Sequence, residues 1–92
     1  MTGYVIYYEL RPGPGDKLPA AFGLLDAAEE HGLSQQIGDA GGWRRLPQGA
    51  LWGRFAASDD AIAAFDRALA DASELLGFAV TAERRLAASL HD

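Results

Sequence analysis

Two segments with helical periodicity, each closed by a glycine, divide this chain and limit what it can fold into. The first runs from Asp16, a candidate N-cap, to Gly32, and the second runs from Ser58, another candidate N-cap, to Gly77. Within both, apolar residues recur at three- and four-residue spacing, as on one face of a helix. A glycine directly after such a run is the usual helix stop. We therefore expect two amphipathic helices with short strands around them.

Four other segments have the alternation or β-branched content of strands. The first is apolar on both faces, which indicates a central strand. The element order is then β-α-β-β-α-β, with both helices in right-handed crossovers. This order predicts an α+β fold, a ferredoxin-like sandwich whose antiparallel sheet has the order 4-1-3-2 and carries both helices on one face. The expected strands are Gly3–Leu10, Leu33–Ile37, Ala50–Ala57 and Phe78–Leu86.

One face of this sheet has no helix to cover it. Val5 and Tyr7 alternate with the inward residues of the first strand, and Trp52 has a similar position in the third. An uncovered apolar sheet surface generally has a partner. We expect a homodimer.

The composition excludes several classes of protein. The chain has 92 residues, no cysteine and a formal charge of −5. This length predicts one domain over residues 1–92, and the missing thiols exclude disulfides, Cys-ligated zinc and a thiol nucleophile. The sequence has no signal-peptide pattern and no apolar run that would span a membrane, so we expect a soluble cytoplasmic protein without membrane partners. No catalytic residue can be assigned, because the two histidines lie in no catalytic pattern.

Cations and large aromatic residues occur together between Ala40 and Ser58, where there is no acid. Trp43 precedes Arg44 and Arg45, and Arg54 follows two residues after Trp52. Arginine binds phosphate and aromatic rings stack on bases, so these residue types suit single-stranded RNA. The other interpretation is that the arginines solvate strand edges and the tryptophans fill a core. We expect Trp43, Arg44, Arg45 and Arg54 to contact RNA or a protein partner.

The chain resembles the small ferredoxin-like Cas2 group, and it is similar in length and layout to the antitoxin of type V toxin–antitoxin systems, an endoribonuclease. The resemblance is carried by Tyr4–Glu9, Arg44–Leu46 and Leu51–Phe55, with a helix after the first and the last of these segments. It implies a homodimer that meets through its sheets, a surface for nucleic acid and, in some members, metal-dependent cleavage. A regulatory or interaction protein is the function it suggests.

The Cas2 pattern has an aspartate at the end of the first strand, which meets its symmetry mate to hold a metal ion. This chain has Tyr8 and then Glu9 there. The resemblance would make Glu9 the metal ligand and Mg²⁺ the cofactor of a nuclease. The longer side chain argues against nuclease activity, and without that activity no cofactor is expected.

The chain is also similar to the dimeric α/β-barrel proteins, which include small monooxygenases. Leu10–Gly13 before the first helix and Phe55, Ser58, Ala61 and Ala64 at the second carry this likeness. It implies an enzyme or small-molecule binder with a cavity between helices and sheet. This is the alternative to the interaction protein.

Overall fold

The fold is α+β, with two helices and a three-stranded antiparallel sheet. The computed structural model describes residues 2–11, 17–39 and 42–89, and for Lys17, Leu18, Pro19, Asp39 and Trp43 it describes the backbone alone. No helix in these ranges is long and apolar enough to cross a membrane. The elements are β1 (Thr2–Leu10), α1 (Lys17–Glu30), β2 (Gln36–Asp39), β3 (Gly42–Arg45), β4 (Ala50–Phe55), α2 (Ser58–Leu76) and β5 (Ala82–Ser89).

The central strand of the sheet is β1, as its two-sided apolar pattern predicts. It pairs with β4 on one side and with β5 on the other, both antiparallel. Tyr7 lies opposite Ala50 in β4 and opposite Leu86 in β5, which fixes the register of all three strands. The sheet order is therefore β4-β1-β5.

The predicted four-stranded order 4-1-3-2 is not what the structure has. The segment expected as the second strand pairs with β4 only through an isolated bridge between Ser34 and Trp52. From Gln36 onward the chain forms β2, which pairs with β3 in a separate two-stranded sheet. Gly38, Asp39 and Gly42 of the glycine-rich segment belong to these strands. Pairing across so short a connection has a small loop-closure cost, which favours it over pairing with the more distant β4.

The core lies between the sheet and the helices. Ile6 on β1, Leu24 on α1 and Phe65 on α2 are completely buried in one apolar cluster. The ring of Tyr8 packs on Phe65 with 5.1 Å between the ring centres. Both helices thus cover the face of β1 that carries its even-numbered residues. The other buried members of the cluster are Ala27, Ala28, Leu33, Leu51, Ala61, Ala64, Ala68, Ala72 and Val80.

The helix ends follow the glycine signals. Gly32 and Gly77 have φ values of +81° and +76°, the left-handed conformation expected after a helix. The N-cap prediction for Ser58 is wrong by one position, because Ala57 is the N-cap and no side chain caps the helix. The predicted cap Asp16 lies outside the described residues.

The last strand begins later than predicted. After Gly77 the chain is held to α2, since the backbone N–H of Val80 donates to Ser73 Oγ at 2.8 Å. Val80 is buried, and only from Ala82 does the backbone pair with β1. The strand therefore runs from Ala82 to Ser89 and carries Leu86 in its middle.

Candidate interaction surface

The sheet face opposite the helices carries two large exposed apolar side chains. Tyr7 and Leu86 are register partners on β1 and β5, and 52% and 64% of their surfaces are exposed. Val5, two residues before Tyr7, is buried on the same face although it is not part of the core under the helices. The expectation that Val5 and Tyr7 share the helix-free face is thus met, but Leu86 rather than Val5 supplies the second exposed side chain.

A row of opposite charges lies beside these apolar residues. Glu9 is the register partner of Arg84, and both are exposed. Alternation along the strands places Glu9 on the face of Tyr7 and Arg84 on the face of Leu86. With residues 2–11, 17–39 and 42–89 considered, neither side chain makes a hydrogen bond or an ion pair. We call Tyr7, Leu86, Glu9 and Arg84 the four-residue patch.

The neighbouring Arg85 belongs to the helix side. Its guanidinium makes two hydrogen bonds to Asp66 of α2, from Nε to Oδ1 at 2.7 Å and from a terminal nitrogen to Oδ2 at 2.9 Å. These bonds raise the pKa of Arg85 above its ordinary value. Asp66 thus partly neutralises Arg85, and Arg84 is the cation of this strand on the helix-free face.

A concavity of about 500 Å³ lies at the patch. All four patch residues line it, together with Tyr8, Gln48, Gly49 and Arg85. Its rim near Gly49 is fixed, because the Tyr8 N–H donates to the Gly49 carbonyl at 2.9 Å. Burial against the core also raises the pKa of the Tyr8 hydroxyl. The patch is therefore an open recess with polar and apolar sides.

The arginines predicted to contact RNA are exposed but do not form one cluster. Arg44 and Arg45 are successive residues of β3, so their side chains leave opposite faces of the two-stranded sheet. Arg54 lies on β4, and β2 leaves the Ser34–Trp52 bridge in the direction away from it. Trp43 is placed in β3 opposite Gly38, with its side chain outside the description. Trp43 and Trp52 are not on paired strands, because β3 pairs with β2 rather than with β4.

Glu9 has a cation rather than other carboxylates as its register neighbour. Among the described residues, no group of three or more histidine, cysteine, aspartate or glutamate side chains is placed to hold a metal ion. His31, one of the two histidines, lies 2.5 Å from Asp71, from Nε2 to Oδ2, and links the end of α1 to α2.

Sequence reasoning missed Arg84 and Leu86 as members of a site. Both were assigned to the last strand, but that strand was expected to end at Leu86. Because strand β5 is displaced toward Ser89, both residues lie inside the strand, with Leu86 opposite Tyr7 and Arg84 opposite Glu9 of β1. The available signal was the alternation of Arg84, Leu86 and Ala88, which continues beyond the predicted boundary.

Comparison with known proteins adds no assignment. No protein-family model, curated protein or solved structure matches this chain. Fold and surface define an α+β protein with an exposed, partly apolar sheet face.

Proposed function

We propose that this chain is a homodimeric interaction protein in which the helix-free face of the β4-β1-β5 sheet joins two copies. The observation that carries the proposal is the joint exposure of Tyr7 and Leu86 in neighbouring strands of that face. Two large apolar side chains that share a recess are costly to leave in water, and a partner removes them from it. A second copy is the partner that every molecule of this protein has available.

The proposal includes the ferredoxin-like fold, the cytoplasmic location and the regulatory role expected from the sequence. Support for the fold comes from a central β1 and from two helices that share one core with it. The Ser34–Trp52 bridge lies where the fourth strand of that fold would join β4. The ferredoxin-like assignment therefore depends on reading this single bridge as the remnant of a fourth strand paired with β4.

The test is the mass of the protein in solution when Leu86 is made charged. Leu86→Glu places a carboxylate in the middle of the contact surface, and we expect the mass measured by light scattering to fall from dimer to monomer. Leu75→Glu is the matched control, since Leu75 is 69% exposed on α2, away from the sheet face. It should leave the mass unchanged.

Either of two results would contradict the proposal. If the wild-type protein stays monomeric at about 100 μM, the sheet face does not join two copies. Specific protein–protein interfaces of moderate size already form at lower concentrations. If Leu86→Glu and Leu75→Glu changed the mass in solution equally, the sheet face would not be the specific dimer interface. Circular dichroism of each variant separates loss of the dimer from loss of the fold.

A second candidate function is contact with single-stranded RNA. It is supported by the exposure of Arg44, Arg45 and Arg54, all of which lie on strands. Trp43 in the same strand as Arg44 is the proposed stacking residue. Replacement of Arg44 and Arg45 by alanine, with RNA binding measured, tests this candidate. Nuclease activity with Mg²⁺ at Glu9 is not part of it.

A further inference from the structure

The four-residue patch is a two-by-two array in which each row is complementary to itself. Tyr7 and Leu86 form an apolar row, and Glu9 and Arg84 form a row of opposite charges. Tyr7 and Glu9 belong to β1, whereas Leu86 and Arg84 belong to β5. If β1 of one copy faces β5 of another, each apolar side chain therefore meets an apolar side chain and each charge meets the opposite charge.

We infer that two copies meet about a two-fold axis that runs parallel to the strands, midway between β1 and β5. This inference rests on the proposed homodimer and specifies its geometry. Such an axis places β1 of one copy over β5 of the other at the same level along the strands. Tyr7 then packs on the partner's Leu86, and Glu9 pairs with the partner's Arg84. Each contact occurs twice, as in any isologous interface.

Two-fold axes perpendicular to the strands give worse contacts. An axis perpendicular to the strands places β1 over β1 and β5 over β5. If it passes through the charged row, Glu9 meets a second Glu9 and Arg84 meets a second Arg84. If it passes through the apolar row, the charged row lies over Val5 and its register partner Ala88. Like charges in contact and unpaired charges on apolar surface are both unfavourable. Charge complementarity thus selects the parallel axis.

The shape of the surface agrees with this arrangement. The recess of about 500 Å³ is lined by all four patch residues, and it gives a side chain of the second copy room to enter. Facing sheets pack about 10 Å apart, a distance that large side chains such as tyrosine and leucine bridge from both sides. Arg85 does not compete with Arg84 for Glu9 of the second copy, because Asp66 holds it on the helix side.

Charge reversal in separate chains tests the geometry. A Glu9→Arg chain presents two cations in its patch, and an Arg84→Glu chain presents two anions. Each variant alone places like charges in contact about the proposed axis and should associate at least about tenfold more weakly than the wild type. A one-to-one mixture restores both ion pairs, because the new Arg at position 9 faces the new Glu at position 84 and the native Arg84 faces the native Glu9. Native mass spectrometry should therefore detect the mixed dimer in large excess over either homodimer.

A matched control uses Arg54, which lies on the same face beside Gly3 at the other end of β1. A mixture of Glu9→Arg and Arg54→Glu chains should gain no mixed dimer. A single chain with both Glu9→Arg and Arg84→Glu keeps every pair with its sign exchanged, and it should dimerise like the wild type. This double variant remains a test if one of the single variants does not fold.

The outcomes separate this inference from the proposed function. If the wild type dimerises and Leu86→Glu abolishes the dimer, but the mixture gains nothing, the sheet face is the interface and the parallel axis is wrong. Single charge variants that dimerise as well as the wild type also overturn the axis. A wild type that never dimerises overturns both.

Discussion

Gly53 shows how closely the segment after α1 approaches the sheet. A Cβ atom on this residue of β4 would lie 2.4 Å from the carbonyl oxygen of Gly32 and 2.7 Å from the ring of Phe55. Backbone cannot yield as a flexible side chain does. Gly32 itself has positive φ, so two glycines together allow α1 to turn against β4.

We predict that Gly53→Ala lowers the free energy of unfolding by about 1–3 kcal/mol, the usual range for overpacking. Gly23→Ala is the matched control. The three atoms nearest to its Cβ would all belong to the flexible Leu76 side chain, with Cδ1 at 2.8 Å and Cγ at 3.2 Å, and alanine favours the helix. Urea unfolding of both variants measures the difference.

The expected order is a large loss for Gly53→Ala and a small change for Gly23→Ala. If Gly53→Ala is as stable as the wild type, the close approach of the Gly32 carbonyl is wrong.

Ser73 determines how α2 is connected to β5. Its hydroxyl donates to the carbonyl of Leu69 at 2.8 Å and accepts the N–H of Val80 at 2.8 Å. The second bond holds the chain after Gly77 against the helix and delays the start of the strand until Ala82. A side chain thus sets the position of a strand boundary.

We predict that Ser73→Ala lowers the free energy of unfolding by about 1–2 kcal/mol, because the part-buried N–H of Val80 loses its acceptor. Ser58→Ala serves as the control, since Ser58 is exposed at the start of α2 and caps nothing with its side chain. It should change stability by less than about 0.5 kcal/mol. Thermal unfolding followed by circular dichroism gives both values.

A loss at Ser58 as large as that at Ser73 would contradict this assignment and restore Ser58 as the helix cap. No change in Ser73→Ala would mean that the Val80 N–H finds another acceptor, and the late start of β5 would then need a different cause.

Local signals predicted the helices, whereas tertiary contacts decided the strands. Both helix ends follow from single glycines, Gly32 and Gly77, whose backbone conformation is a local property. The start of β5 depends on a hydrogen bond from Val80 to Ser73, which periodicity does not reveal. The pairing of β2 with β3 likewise depends on a competition between β3 and β4 for the edge of β2. The helix-free face was predicted from the alternation in β1. The presence of Leu86 and Arg84 on that face depends on the register of β5, which the sequence pattern did not reveal.

Charge is unevenly distributed over the whole molecule. Eight acids lie on the two helices, in a chain whose formal charge is −5. Arg54 and Arg84 lie on the helix-free face, whereas Arg85 is paired with Asp66 on the helix side. A polyanion would therefore meet repulsion over most of the surface and contact only the sheet side. The acids on the helices are Asp26, Glu29, Glu30, Asp59, Asp60, Asp66, Asp71 and Glu74.

If RNA binds, Arg44→Ala combined with Arg45→Ala should weaken single-stranded RNA binding at least about tenfold and lower its salt slope by about one to two. Arg67→Ala is the matched control, because Arg67 is an exposed arginine on the acidic helix layer. Fluorescence anisotropy over a range of salt concentrations measures both quantities. Equal binding by the double variant and the wild type would exclude this pair of arginines as the contact.

The pairing of β1 with β5 also bears on how the protein is made. These neighbours in the sheet are separated by residues 11–81, so the central strand leaves the ribosome long before one of its two partners is synthesised. During that interval β1 offers an unpaired edge with a two-sided apolar pattern to whatever it meets, which is the situation in which nascent chains aggregate or recruit chaperones. The two helices can form while synthesis continues, but the sheet is complete only after β5 has emerged and paired with β1.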